Sequence, residues 1–467
     1  MKNKYSYLLK NIGLFSISGF IPKILGFLLI PIYTGCLTTG EYGISDLITT
    51  TVSILIPIFT LGIQEAAIRF AMDKAYSRED VFSSAVRIVV GGTGLVCLGA
   101  FAVDCFHIPG IETLYLIFLV LMYFFTAANN CISLFCRGID RVNVVVTGSV
   151  IHSAVTLLVN ILVLLVFRWG LTGYLIANTV GAAVSLIYRF LAAKLYGLLK
   201  WRPSKAVAKE MVAYSFPLIF GTISWWINNA SDRYILAFIS GVAVSGVYAV
   251  SYKIPSLLFM FQDIFAQAWS ISAIKEFDKD DSDGFISKMY TMMNFAMVTI
   301  CSCIMIMNIP FARILYSNDF FQAWQFVPPL LISLVFNAMG LFIGGIFTAV
   351  KDTKTLSLTT VVGAVINILC NFVFIYFWSA YGAAIATLIG YFTVFLMRHV
   401  VLRKYIRLKL HWVRDVFVYG LLLAQMGLAS AGLKLVGIQI LILMAIPVLY
   451  WKEVRTLVKG LTAKLRR

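Results

Sequence analysis

The sequence predicts an all-α polytopic membrane protein of about fourteen transmembrane helices, built as two six-helix lobes in pseudo-two-fold repeat plus two C-terminal helices. Three observations carry this. First, 60% of the 467 residues are hydrophobic and only 13% charged, with a mean hydropathy of +0.90, whereas a soluble domain is nearer half apolar and a quarter charged. Second, apolar runs of bilayer length recur from end to end. Third, the basic residues segregate. With the N-terminus inside, thirty of the 38 Lys and Arg side chains fall in cytoplasmic segments. Only Arg168, Arg233, Arg313 and Lys434 fall outside, and Lys23, Arg87, Arg189 and Lys253 fall within spans. The positive-inside rule therefore accounts for the net charge of +17 and excludes a nucleic-acid partner.

The spans fall near 11–34, 45–68, 81–103, 113–136, 144–167, 172–193, 211–231, 244–274, 285–309, 323–349, 356–378, 382–402, 415–433 and 435–451. The first is too long for the apolar core of a signal peptide and lacks a small-residue cleavage site, so it reads as retained. Both termini are expected in the cytoplasm. The corner TTGEYGISDL at 38–47 reappears as AVSGVYAVSY at 243–252, aligning Tyr42 with Tyr248 at an offset of 206. RWGLTGYLIANTVG at 168–181 reappears as WSAYGAAIATLIG at 378–390, an offset of 209 that carries Arg189 onto Arg398. This is an internal repeat. It divides the chain into an N-terminal lobe (1–200), a C-terminal lobe (201–405) and an appendix of two helices with a basic tail (406–467). An even number of spans per lobe relates the halves by an axis along the membrane normal, as in transporters that rock two halves around a site.

Weaker signals carry little. The eight cysteines form no CxxC and read as core-filling residues, with Cys36 and Cys105 the one pair expected on the same face. Cys301 and Cys303, two apart, point to different sides of a helix. The glycines at 91, 92, 94, 340, 344 and 345 lie inside apolar spans, where small residues let helices approach. DKDDSDG at 278–284 misses the calcium-loop spacing, because Lys279 stands where an acid is needed, and reads as a solvated loop.

The informative residues are polar ones inside spans one, two, seven and eight. Lys23 lies about 12 residues into span one, roughly 18 Å deep, and Lys253 about nine residues into span eight, roughly 14 Å deep. Both fall near the middle of a core about 30 Å thick. A cation there costs about 2.5–3.5 kcal/mol on insertion scales, so a ligand, an ion pair or a reach to the interface must offset it. Asp46 sits nearly where the repeat places Lys253. Asp46, Glu65, Asp232 and Asp263 are candidate carriers of a coupling proton or sodium ion. Arg69 and Arg233 are further candidate cations for an anionic substrate. Trp225, Trp226, Asn228 and Asn229, with Tyr42, Tyr248 and Tyr252, combine aromatic faces with polar tips suited to sugar rings, a mixture that an interface belt would share.

The blocks GFIPKILGFLLIPIYTGCLTTGEYGISDLITT, TLGIQEAAIRF, SFPLIFGTISWWINNASDRYIL and GVYAVSYKI resemble the polysaccharide flippases, the O-antigen and capsule repeat-unit exporters of the multidrug/oligosaccharidyl-lipid/polysaccharide superfamily. The resemblance covers spans one to twelve. It implies a V-shaped pair of lobes around a cationic cavity lined by spans one, two, seven and eight. It further implies an undecaprenyl-pyrophosphate-type lipid-linked oligosaccharide as substrate, the bacterial cytoplasmic membrane as location, and polysaccharide polymerase or assembly proteins as partners. No cofactor is implied; a proton or sodium gradient is the candidate energy source, in keeping with the lack of a P-loop. By resemblance to lipid II flippases, the two extra helices would shelter the lipid tail. The competing readings are a cation-coupled drug exporter of the same superfamily, which an acidic cavity would favour, and a membrane polymerase or ligase. An enzyme of that kind needs a large external loop, and the longest external connections here, about 232–243 and 310–322, are short.

Overall fold

The computed structural model describes residues 25–107, 110–451 and 455, apart from the side chains of residues 224, 225, 228, 229, 267, 268, 270, 271 and 275. The described residues form helices joined by short turns. Eleven helices are long and apolar enough to cross a bilayer, twelve if one bent pair counts as a single span. This is a multi-pass membrane protein. In hydrocarbon every backbone N–H and C=O must be satisfied within the segment, and the helix does that. The chain divides into two compact units, Met1–Trp226 and Ile227–Arg467.

The first unit begins with α1 (Ile30–Cys36) and α2 (Thr39–Phe59). The sequence reading leaves a long polar corner between them; only Leu37 and Thr38 are non-helical. The cause is a capping box. Thr38 Oγ1 accepts the Glu41 N–H at 3.2 Å, and Glu41 Oε2 accepts the Thr38 N–H at 2.8 Å. Tyr42 and Asp46 are therefore helical residues of α2. Gly62 (φ 62°) turns the chain into a separate short helix, α3 (Ile63–Ala71), which carries Glu65 and Arg69. Helices α4 (Arg78–Cys105), α5 (Thr113–Gly138), α6 (Val142–Asn160, extended by a wider turn over Ile161–Val166) and α7 (Gly170–Ala192) complete the bundle. Helix α8 (Lys205–Ser240) runs across the division between the units.

The second unit holds α9 (Val242–Ser251), α10 (Pro255–Lys275), α11 (Phe285–Leu315), α12 (Val327–Ala349), α13 (Thr353–Leu402), α14 (Trp412–Ala429) and α15 (Val436–Leu449). Helix α12 is its axis, buried along most of its length. The 50 residues of α13 are two arms folded at Ser379 (φ 50°). A Cβ at Gly363 would meet Val394, one at Gly390 would meet Asn367, and one at Gly382 would meet Phe374, the pairing of an antiparallel hairpin. Expected spans eleven and twelve are these arms. Expected span one begins among residues 11–24, outside the described ones.

The appended helices belong to the second unit. Tyr450 Oη donates to Asp415 Oδ1 at 2.9 Å and accepts from Asn294 Nδ2 on α11 at 3.0 Å. Tyr419 Oη donates to Asn294 Oδ1 at 2.9 Å, and Ser302 and Gln425 exchange two bonds. These groups are nearly all fully buried. The 278–284 loop corrects one expectation. Asp281 is buried, and its carboxylate accepts the Ile286 and Ser287 N–H groups, capping α11, because the first turn of a helix needs acceptors.

Candidate functional site

The two buried arginines that the sequence offset aligns are held in similar ways. Arg189 Nη1 donates to Asn129 Oδ1 at 2.8 Å and its Nη2 to Ser149 Oγ at 2.9 Å and Val145 O at 3.5 Å. Arg398 does the same: Nη1 reaches Gly340 O at 2.8 Å, and Nη2 reaches Thr360 Oγ1 at 2.9 Å and Leu356 O at 3.4 Å. In each unit the guanidinium bonds a carbonyl and the hydroxyl one turn further along the same helix. Five fixed donors let it tie three helices together without a carboxylate. Gly148 makes room, since a Cβ there would lie 2.4 Å from Arg189 Nε.

The second unit gathers four of the sequence-predicted residues in one cluster. Asp232 on α8 is 2% exposed. Its Oδ2 accepts from Tyr248 Oη at 2.7 Å, Tyr252 Oη at 3.0 Å and Thr387 Oγ1 at 3.5 Å. Its Oδ1 accepts the Arg233 N–H at 2.9 Å. The guanidinium of Arg233 lies 5.2 Å from the centre of the Tyr252 ring. The two tyrosines meet edge to face at 5.3 Å because they stand four apart, one turn, on the same helical face. A buried carboxylate is tolerated here because hydroxyls and a backbone N–H replace its hydration.

One residue past Tyr252 the helix breaks. Pro255 has no N–H to continue the ladder from α9, so Tyr252, Lys253 and Ile254 form a turn and the helices meet at 52°. Lys253 stands in this break, half-buried, and makes no ion pair among the described residues. A single continuous span over 244–274 is thus corrected to α9, a break and α10. Pro255 was the visible signal for it. Thr387 had none: it sits in the apolar stretch AAIATLIG, and only the folding of α13 brings it to Asp232.

The other predicted residues lie apart. Lys23 and the side chains of Trp225, Asn228 and Asn229 are outside the described residues. Trp226 Nε1 donates to Thr50 O at 3.1 Å and Ser53 Oγ at 2.9 Å, both on α2. Tyr42 is buried with its ring 6.5 Å from that of Tyr174. Asp46 is half-buried on α2, and Asp263 half-buried on α10, almost three turns beyond Lys253. Glu65 is exposed. Arg69 is exposed and pairs with Asp73 at 3.7 Å, an i,i+4 surface pair. All cysteines are free, Cys36 half-buried and Cys105 exposed; Cys301 is buried and Cys303 exposed, as two-residue spacing requires. Among the described residues no cluster of His, Cys, Asp and Glu suits a metal ion.

With this geometry in place, a family model described as polysaccharide biosynthesis protein matches residues 8–270, more than half of the chain. The chain belongs to that family. No curated protein sequence matches it. Among solved structures, a lipid II flippase, MurJ, in an inward closed conformation is similar with a TM-score of 0.70 at 16% identity, covering 95% of this chain and 99% of that one. An inward-facing multidrug resistance MATE transporter of the MOP superfamily gives 0.65 at 14% identity, covering 86% and 98%. A MOP superfamily transporter from Pyrococcus furiosus, described as having a binding pocket of reverse polarity, gives 0.53 at 13% identity, covering 84% and 92%. At such identities the likeness is one of fold: this family member has a MOP-like fold.

Proposed function

We propose that this chain flips isoprenoid-pyrophosphate-linked oligosaccharides from the inner to the outer leaflet by ion-coupled alternating access, supplying repeat units for O-antigen, capsule or exopolysaccharide assembly. The observation that carries the reading is the placement of Asp232. A carboxylate buried in a membrane-spanning helix holds Tyr252, and the next residue is a lysine in a helix break. Family membership supplies the polysaccharide context, and the flippase and transporter neighbours supply a fold used for moving substrates rather than for catalysis.

A pyrophosphate headgroup cannot enter hydrocarbon unaided, because an uncompensated charge there is very costly. Lys253 supplies one compensating ammonium and Lys23 the other. Lysine suits the task because it binds phosphate as a point charge and tolerates movement. When a proton or sodium ion neutralises Asp232, its bonds from Tyr248 and Tyr252 change from charge-assisted to ordinary ones and weaken by about half. The turn bearing Lys253 then loses part of its anchor. Release of the ion restores it.

The test is deletion of the gene followed by assay of the leaflet on which lipid-linked oligosaccharide accumulates. Build-up on the inner leaflet is expected, restored by the wild type and not by Lys253→Ala at equal protein level, with Lys253→Arg restoring part. Shortened polymer without inner-leaflet build-up would replace this reading with a polymerase.

A further inference from the structure

We propose that an apolar groove on the first unit, between α4, α5 and α7, retains a glycerophospholipid, with one acyl chain in the groove and the anionic headgroup at a basic rim that includes Arg87 and Lys194. The groove has a volume of about 300 Å³. An apolar cavity of roughly 150 Å³ accepts benzene, so this one has room for about twelve carbons of a chain. Phe82, Val89, Cys131 and Ile132 form its buried floor. Its edges stay open: Val90 is 54% exposed, Ile187 and Leu191 are each 56% exposed, and Leu199 is 49% exposed. Every lining side chain is apolar, the Cys131 thiol counting as a small hydrophobe. A polar group placed there would lack a partner, whereas a hydrocarbon chain gains contact on several sides.

The charge at one end selects the headgroup. Leu191 and Leu199 both line the groove, and the chain between them turns at Lys194 (φ 53°). Ser83 Oγ donates to Leu198 O at 3.1 Å and accepts the Lys200 N–H at 2.8 Å. One turn further along α4, Arg87 Nη2 donates to Trp201 O. These bonds strap the linker to α4 and place Arg87 beside the lining residues Val86 and Val90. Lys200 is answered by Asp80 at 3.1 Å, whereas Arg87, Lys194 and Arg202 are exposed and make no ion pair among the described residues. Trp201, 89% exposed, stands at the same end, and indoles favour the level of lipid headgroups. An anionic headgroup near such cations gains about fivefold in affinity per basic residue. A phospholipid is the chain-bearing anion that a surrounding bilayer supplies in excess.

The purified full-length protein in a nonionic detergent is titrated with dioleoyl phosphatidylglycerol and with dioleoyl phosphatidylcholine, and the tightest-bound lipid is followed by native mass spectrometry. Phosphatidylglycerol is expected to bind at least about fivefold more tightly. Arg87→Gln combined with Lys194→Gln should lower its affinity by about fivefold or more and leave phosphatidylcholine unchanged. Ala128→Leu, which fills the groove from α5, should lower the affinity of both lipids about tenfold, with thermal unfolding showing a folded protein. Val90→Trp, at an exposed edge, blocks the same groove without disturbing its floor and should act alike. Equal affinity of the two lipids, a full preference surviving the double substitution, or binding unchanged by both groove variants would each overturn the proposal. Displacement of phosphatidylglycerol by an equal concentration of a polyprenyl phosphate would also overturn it, giving the groove to that lipid instead.

Discussion

The two units carry the same corner and use it differently. In both, a buried serine follows the aligned tyrosine by three residues and donates to its carbonyl: Ser45 to Tyr42 O at 2.7 Å, Ser251 to Tyr248 O at 2.6 Å. Beyond that the copies part. In the first unit, α2 runs unbroken past Asp46, and the Tyr42 ring lies 6.5 Å from that of Tyr174, which meets Tyr33 edge to face at 4.9 Å. In the second, Tyr248 and Tyr252 hold a buried carboxylate and Pro255 ends the helix three residues on. In the second copy two hydroxyls meet at a carboxylate, a group that an ion can neutralise. The difference teaches that one corner can be continued as an unbroken helix or be tied to a carboxylate and ended at a proline.

The largest contrast is expected at the acids. Asp232→Asn should lower flipping 5- to 150-fold, the usual range of a coupling free energy, whereas Asp46→Asn should change it only a few-fold. A vesicle assay with both variants at matched protein level checks this, and equal losses would remove the asymmetry. Next come the arginines, where the units should behave alike. Arg189→Leu and Arg398→Leu each remove several hydrogen bonds from a buried cation. Each should destabilise its unit by about 2–3 kcal/mol, read as thermal unfolding in detergent. A loss at one site alone would show that the forks are not equivalent.

Straightening the break sharpens the comparison further. Pro255→Ala restores an N–H and should make α9–α10 resemble α2, slowing transport with little loss of protein. Wild-type rates in this variant would detach the break from function. The smallest effect concerns a helix start outside the membrane. Thr355 side-chain and backbone donors, with Tyr405, hold the carboxyl of Asp352 down to about 2, against an ordinary value of about 3.9. A group whose folded value is depressed stabilises above its unfolded value, and that stabilisation is lost as pH falls through the folded one. The difference in unfolding temperature between wild type and Asp352→Asn should be present at pH 6 and fade between about pH 4 and pH 2.

Much of the helical architecture was legible in the sequence because bilayer-length apolar runs are long, redundant signals. Most spans agree within a few residues, from α4 to α15. The sequence aligned Tyr42 with Tyr248 and Arg189 with Arg398, and each aligned pair makes similar local hydrogen bonds. Local stereochemistry was readable in principle: Thr38 and Glu41 have capping-box spacing, and Pro255 marks the break. The cluster was not legible as a cluster. Asp232 and the two tyrosines could be named one by one, but their meeting with Thr387 depends on how α13 folds at Ser379, 147 residues further along the chain.

The most direct test uses proteoliposomes loaded with a fluorescent polyprenyl-pyrophosphate oligosaccharide, with a proton or sodium gradient imposed across the membrane. In the wild type one of the two gradients should accelerate flipping about tenfold, and in Asp232→Asn, folded and at equal density, neither should. Acceleration of Asp232→Asn to the wild-type extent would contradict the assignment of Asp232 as the group through which an ion drives the second unit.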